Sequence, residues 1–236
     1  MNIYFDLETI PGQAPGLLAE FAGKVAAPAQ YKKPDSIAEW MKENAESVAE
    51  QEWRKTSFDG AHGHICVIGF AFDDAEPITL KTDNYGDPES ERAMLVEFYT
   101  ALNAGASHGL AGGYRATDKP VFIGHNVIDF DLRFLFQRSV MLGVKPPEFI
   151  PFDAKPWDST VFDTMTGWAG VRNRVAMDKL CKVFGFDEKG SEIADEIDGS
   201  KVWDFVKAGR IDDVAKYCAG DVVRTRSIYK RLKFIG

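Results

Sequence analysis

The order of apolar segments along the chain constrains its fold more than any other feature. Residues 2–8 alternate as a strand does: Ile3, Phe5 and Leu7 point one way, and Tyr4, Asp6 and Glu8 the other. Ile65 to Phe72 reads as a buried strand and Ile78 to Thr82 as the next, with Asp73-Asp74 between them as a hairpin turn. Asp87-Pro88-Glu89 opens a helix that runs to about Asn103. Val121-Phe122-Ile123 is a short apolar strand, and a helix follows from about Asp129 to Leu142. Further helices fit Met177–Phe184, Lys201–Lys207 and Ile211–Lys233. Three strands in succession, then helix, strand and more helices, predict an α/β domain with a mixed β-sheet flanked by helices.

The connecting segments are equally legible. A Pro/Gly stretch from Pro11 to Gly16 leaves the first strand. A helix-like segment from Asp35 to Arg54 follows, with Asp35 or Ser36 as its N-cap and Ile37, Trp40, Met41, Val48 and Trp53 as a partial apolar stripe. Residues 9–60 therefore read as a partly helical insertion between two strands. Residues 104–119, rich in glycine, read as a flexible loop, and Pro146, Pro147, Pro151 and Pro156 mark a long crossing loop. No second core is visible in the 236 residues, so a single domain spanning 1–236 is expected.

Charge and cysteine content narrow the function classes. With 28 Lys and Arg against 36 Asp and Glu, the net charge is −8, which argues against a protein that coats nucleic acid through basic residues. It does not exclude a nuclease, because two divalent cations held by four carboxylates would bring the total to about −4. The three cysteines, Cys66, Cys181 and Cys218, form no C-x-x-C pair, which points to a reduced, cytoplasmic chain. His62-Gly63-His64 lacks a further ligand nearby and reads as a strand entry rather than a zinc site. No apolar run reaches the length of a membrane span, and MNIYFDLETI has no basic region that would make it a signal peptide.

Three groups of residues carry chemical potential. Strand period puts Asp6 and Glu8 on one face, about 7 Å apart at Cα, where they repel unless a positive charge lies between them. A solvated edge face would hold such a pair equally well. In Gly124-His125-Asn126-Val127-Ile128-Asp129-Phe130-Asp131, Asp129 or Asp131 serves either as a helix N-cap or as a ligand at a strand-to-helix turn. In Tyr217-Cys218-Ala219-Gly220-Asp221, the phenol and the carboxylate share a helix face. A core Tyr beside a surface Asp is the plainer alternative.

Taken in order, D-x-E on the first strand, N-x-x-x-F-D at a strand-to-helix turn and Y-x-x-x-D on the last helix make the chain resemble the DEDDy 3′–5′ exonucleases of the ribonuclease-H-like fold. Phe5-Asp6-Leu7-Glu8-Thr9 looks like the opening block of proofreading domains. Asn126, five residues before Asp131, is similar to the corresponding block in family B polymerases. Asp163-Thr164, Met177-Asp178-Lys179-Leu180, Asp198-Gly199-Ser200-Lys201-Val202 and Tyr217-Cys218 with Asp221-Val222-Val223 extend the likeness to a stand-alone bacterial and phage family, over essentially the whole chain.

The resemblance implies a metal-dependent 3′–5′ exonuclease acting on the 3′ end of DNA, single strands favoured. Asp6, Glu8, Asp131 and Asp221 would hold two ions, Mg²⁺ or Mn²⁺, with Tyr217 orienting the attacking water. Asp6 would serve both ions, Glu8 and Asp221 the water-activating one, and Asp131 the other. Thr9, Asn126, Arg172 and Arg174 are candidate substrate contacts, and the 9–60 insertion a wall of the cleft. A replication, repair or recombination protein is the expected partner, since no polymerase or helicase segment is read here. The alternatives are an exoribonuclease of the same fold, a non-catalytic nucleic-acid-binding or regulatory module, and a single-metal phosphatase.

Overall fold

Among the residues described, 1–111 and 119–235 of a computed structural model, five strands form one mixed sheet. They are β1 (Asn2–Ile10), β2 (His64–Phe72), β3 (Ile78–Lys81), β4 (Val121–Gly124) and β5 (Val161–Asp163), in the order β3-β2-β1-β4-β5. β1 is antiparallel to β2 and parallel to β4, β4 is parallel to β5, and β2 and β3 form the predicted hairpin. The strand β5 was not expected. It has three residues, too few for periodicity to register, and its identity as a strand comes from pairing with β4.

The alternation of β1 sends its side chains into two cores. Ile3, Phe5 and Leu7 face α3 (Pro88–Ala111) and α4 (Asp131–Met141), with Phe5 stacked on Phe98 at 5.4 Å between ring centroids. Each such fully buried side chain contributes about 1.5–3 kcal/mol. Tyr4 faces the other way, onto α8 (Ile211–Leu232), which follows α5 (Thr164–Ala169), α6 (Met177–Phe184) and α7 (Val202–Lys207), and there it meets Tyr229 at 5.8 Å. The face of β1 that carries Asp6 and Glu8 is thus covered by a helix rather than solvated.

α8 earns that position by its pattern. Ile211, Val214, Ala215, Cys218, Val222, Thr225, Ile228 and Tyr229 recur at helical spacing and are buried, and Tyr217 and Asp221 lie on the same stripe. Gly69, opposite Asp6 in the β1–β2 register, allows the close approach: a Cβ there would lie 2.7 Å from Cys218 Sγ. The bare backbone at Gly69 lets α8 settle beside Asp6.

Several local expectations are corrected. α3 continues to Ala111 instead of ending at about Asn103. Gly105 lies within that helix, against the Phe72 ring, with no room for a Cβ. Glycine there serves close packing, not flexibility, and residues 104–111 of the predicted loop are helical; residues 112–118 lie outside those described. The helix α2 (Pro34–Arg54) is capped by neither Asp35 nor Ser36. Lys33 precedes it in extended conformation, and Pro34 takes the first helical position, where its missing N–H and fixed φ cost nothing. α1 (Leu17–Lys24) was not foreseen. In α4 the cap position falls on Phe130, so neither Asp129 nor Asp131 is the N-cap.

The insertion is fastened at its exit. Trp53 Nε1 donates to the Gly12 carbonyl at 2.8 Å, and the Gly12 amide donates to Thr56 Oγ1 at 2.9 Å. His64 and His62 go to different acids: His64 Nδ1 lies 2.9 Å from Glu91 Oε2, and His62 Nδ1 lies 3.0 Å from Asp59 Oδ2. Arg138 of α4 grips Glu91 with two hydrogen bonds, at 2.8 and 2.6 Å, and donates to the Gly60 carbonyl at 3.0 Å. Burial pushes the Glu91 carboxyl up, but hydrogen bonds from His64 and Arg138 outweigh it and hold the pKa below its usual value. This buried network ties the strand entry to α3 and α4. No helix among the described residues is long and apolar enough to cross a membrane.

Candidate active site

Asp6 and Glu8 leave β1 on the α8 face, two residues apart as strand period requires. The β1–β2 register shifts between Glu8 and Thr9, an irregularity that often accompanies functional sites. From α8, Cys218 Sγ lies 3.4 Å from Asp6 Oδ2, which joins residues 212 positions apart. Ligand atoms of Asp6, Glu8 and Cys218 lie within 4.8 Å of one another. Asp131, the first residue of α4 and buried, accepts the Leu7 amide at 3.0 Å through Oδ1 and so reaches the strand between the two acids. Asp221 is 1% exposed; its Oδ2 accepts Lys189 Nζ at 2.6 Å and its Oδ1 accepts Arg224 Nη1 at 3.4 Å.

The acids strain one another electrostatically. Burial, then the charges of Asp221, Glu8 and Asp131, push the Asp6 carboxyl far above its ordinary range. Burial likewise raises Glu8 to about 8; Lys189 opposes the shift, and Asp221 and Asp131 add to it. Asp131 is raised to about 7 by burial, against the relief of the Leu7 amide. Asp221 is raised by burial, with Lys189 and Arg224 opposing. Buried carboxylates crowded in this way gain from a positive charge among them.

Asp6, Glu8, Asp131 and Asp221 offer only oxygen, the donor type that suits hard divalent cations, although among the described residues Asp131 and Asp221 lie outside the close group of Asp6, Glu8 and Cys218. Cys218 is a poor competitor as ligand: burial, then Asp6, Glu8 and Asp221, raise its thiol far above its usual value and keep it protonated. Tyr217 is fully buried, and its hydroxyl has no hydrogen-bond partner among the described residues. Burial, Glu8 and Asp221 raise its pKa, with the neighbouring Lys189 ammonium opposing, so the phenol stays protonated and can donate.

The remaining predicted residues are placed differently. Thr9 commits its hydroxyl to the Ser57 carbonyl at 2.7 Å, tying β1 to the 3-10 turn Lys55–Phe58. Asn126 adopts φ +66, a left-handed conformation that Asn tolerates, and its amide donates to Asp163 Oδ1 at 3.0 Å. Its buried Oδ1 has no partner among the described residues. Arg172 and Arg174 are exposed, on a loop held by His125 Nε2, which donates to the Val175 carbonyl at 2.9 Å. Among the described residues, no hydrogen bond or ion pair joins these two arginines to the acids.

Sequence reasoning missed Lys189, Arg224 and Cys218. Arg224 could have been found, since it stands three residues after Asp221 on one helix. Lys189 carries no such signal in Asp187-Glu188-Lys189-Gly190. Asp163, quoted only for its resemblance, is a hub that accepts the amides of Asn126, Ile128, Met165 and Thr166 and caps α5 (Thr164–Ala169).

Residues 62–236, more than half the chain, match the family described as a predicted 3′–5′ exonuclease related to the exonuclease domain of PolB. No curated protein matches the sequence. The fold is similar to part of the family B DNA polymerase from the hyperthermophilic archaeon Pyrobaculum calidifontis, with a TM-score of 0.56 and 15% identity. The likeness covers 98% of this chain and 24% of the polymerase chain, so the chain spans about a quarter of that protein's length. At that identity the likeness is one of fold, and it accords with the α/β fold with a mixed sheet that the order of elements predicts and with the ribonuclease-H-like fold that the resemblance implies.

Proposed function

The chain belongs to the family of predicted 3′–5′ exonucleases related to the exonuclease domain of PolB, and from that premise we propose that it hydrolyses DNA from the 3′ end, single strands in preference. Asp6, Glu8, Asp131 and Asp221 would hold two divalent cations, Mg²⁺ or Mn²⁺. The observation that carries this reading is the approach of the Asp6 and Glu8 carboxylates to within 4.8 Å, with Asp131 on the intervening Leu7 amide and the buried Tyr217 hydroxyl without a hydrogen-bond partner among the described residues. Bound divalent ions supply charge neutralisation at the phosphoryl group and a lowered pKa for water.

The chain's own residues do the rest. Asp6 would contribute to both ions, Glu8 and Asp221 to one, and Asp131 to the other. Tyr217 donates its hydroxyl proton in a hydrogen bond that orients the attacking water, and it is no general base, because its pKa is raised. Asn126 offers its buried Oδ1 to the terminal nucleotide. Thr9 contributes through its backbone, since its hydroxyl is committed to Ser57. Arg172 and Arg174 meet backbone phosphates.

The insertion supplies a wall. Its exposed Phe58 packs edge-on against Phe130, the residue before Asp131, at 6.1 Å. A cleft of about 140 Å³ lined by Thr9, Lys55, Ser57, Phe58 and Ser200 opens beside the end of β1. An aromatic ring at that mouth offers a stacking face for an unpaired base, which favours a single-stranded end. The three free, buried cysteines accord with a reducing cytoplasm, and a replication, repair or recombination protein would direct the enzyme to its ends.

The test is a 5′-labelled single-stranded oligonucleotide ladder with Mg²⁺, Mn²⁺ or EDTA, run in parallel with the matched RNA. Stepwise shortening from the 3′ end of DNA, lost in EDTA and in Asp6→Ala and Asp221→Ala, is the expected result. Faster shortening of the RNA would reassign the substrate. Binding without shortening would make the chain a non-catalytic module.

A further inference from the structure

Lys189 has no part in the functional reading above. Its Nζ sits 2.6 Å from Asp221 Oδ2 and 4.8 Å from the centroid of the Tyr217 ring, on a side chain only 25% exposed. The loop that bears it is anchored to α8. Arg224, three residues beyond Asp221, donates to the carbonyls of Asp187 and Glu188 at 3.1 and 2.6 Å, to Ser191 Oγ at 3.2 Å and to Glu192. Gly190 turns the chain directly after Lys189 with φ +80. The helix that carries Asp221 therefore also holds the loop that aims an ammonium at it.

That ammonium opposes the charge of each acid: Asp6, Glu8, Asp131 and Asp221 all feel it. An ammonium 2.6 Å from Asp221 Oδ2 repels a divalent ion brought to the same carboxylate and weakens its hold there. The two cations compete for Asp221.

We propose that Lys189 is a built-in counter-cation of this site. It holds the acids together when divalent ions are absent, and its charge opposes those ions at Asp221 when they bind. Lys189 thereby sets the divalent-ion concentration at which the site loads. The inference rests on the reading of these acids as metal ligands. Linkage makes the competition reciprocal: removing the ammonium tightens ion binding, and ion binding frees the ammonium.

Mn²⁺ binding, followed by the EPR signal of the free ion, together with the melting temperature in EDTA, tests this in wild type, Lys189→Met and Lys189→Arg. Lys189→Met should bind Mn²⁺ about tenfold more tightly and melt lower in EDTA. Lys189→Arg, which keeps the charge, should stay close to wild type. Equal or weaker Mn²⁺ binding in Lys189→Met overturns the proposal, because loss of a merely structural lysine would loosen the site. If Lys189→Met does not fold in EDTA, wild type carries the test: reductive methylation with peptide mass mapping should label Lys189 faster in saturating Mg²⁺ than in EDTA. An unchanged labelling rate overturns the proposal. Absence of Mn²⁺ binding by wild type would refute the metal reading itself, whereas binding unaltered in Lys189→Met would refute this inference alone.

Discussion

Replacing Glu8 by Gln should stabilise the protein at pH 8 in EDTA while abolishing hydrolysis. The Glu8 carboxyl is raised from 4.5 to about 8 by burial, against Lys189 and with the help of Asp221 and Asp131. The folded state therefore binds more protons than the unfolded state between those values, and stability falls as pH rises through that window. The interval of 3.5 units, from 4.5 to about 8, corresponds to a ceiling of about 5 kcal/mol at about 1.36 kcal/mol per unit. Neighbouring acids share the relief and the Gln amide must itself be buried, so the expected gain is about 1–3 kcal/mol. For a chain of this size that is about 3–10 °C in melting temperature. At pH 5 the folded protein already holds Glu8 protonated, and the variant should match wild type. Thermal and urea unfolding at both pH values in EDTA measure the difference. A variant equal to or less stable than wild type at pH 8, or one gaining equally at both pH values, would refute the electrostatic argument.

Tyr217→Phe removes a buried hydroxyl that lacks a partner among the described residues, so stability should hold or rise by about 1 kcal/mol while turnover falls about 100-fold or more; melting and single-turnover assays separate the two. Gly69→Ala should push α8 from β2 at Cys218, costing about 1–3 kcal/mol and most of the activity, and the double variant Gly69→Ala/Cys218→Ala should recover both. Failure of that rescue would show that Gly69 acts otherwise than by close approach. Glu91→Ala leaves Arg138 buried without its carboxylate and should cost about 3–5 kcal/mol in chemical denaturation, with Glu91→Gln intermediate.

Spacing along the chain is enough for four of the five strands, for the face of β1 that bears Asp6 and Glu8, and for the pairing of Tyr217 with Asp221 on one helix face. Each of these follows from backbone period, which acts over a few residues and is written directly in their spacing. Boundaries were less legible: Pro34 displaced the expected cap, and Gly105 continued a helix because the Phe72 ring lies against it. β5 exists only through its partner strand. Folding in three dimensions is what lays α8 over the acid face of β1, gives Asp131 the Leu7 amide, and sets Lys189 against Asp221. Those facts depend on groups far apart in the chain meeting at a few ångströms, as Asp6 and Cys218 do across 212 positions. Charge repulsion and burial act through space, so local spacing can nominate the acids but cannot say what neutralises them.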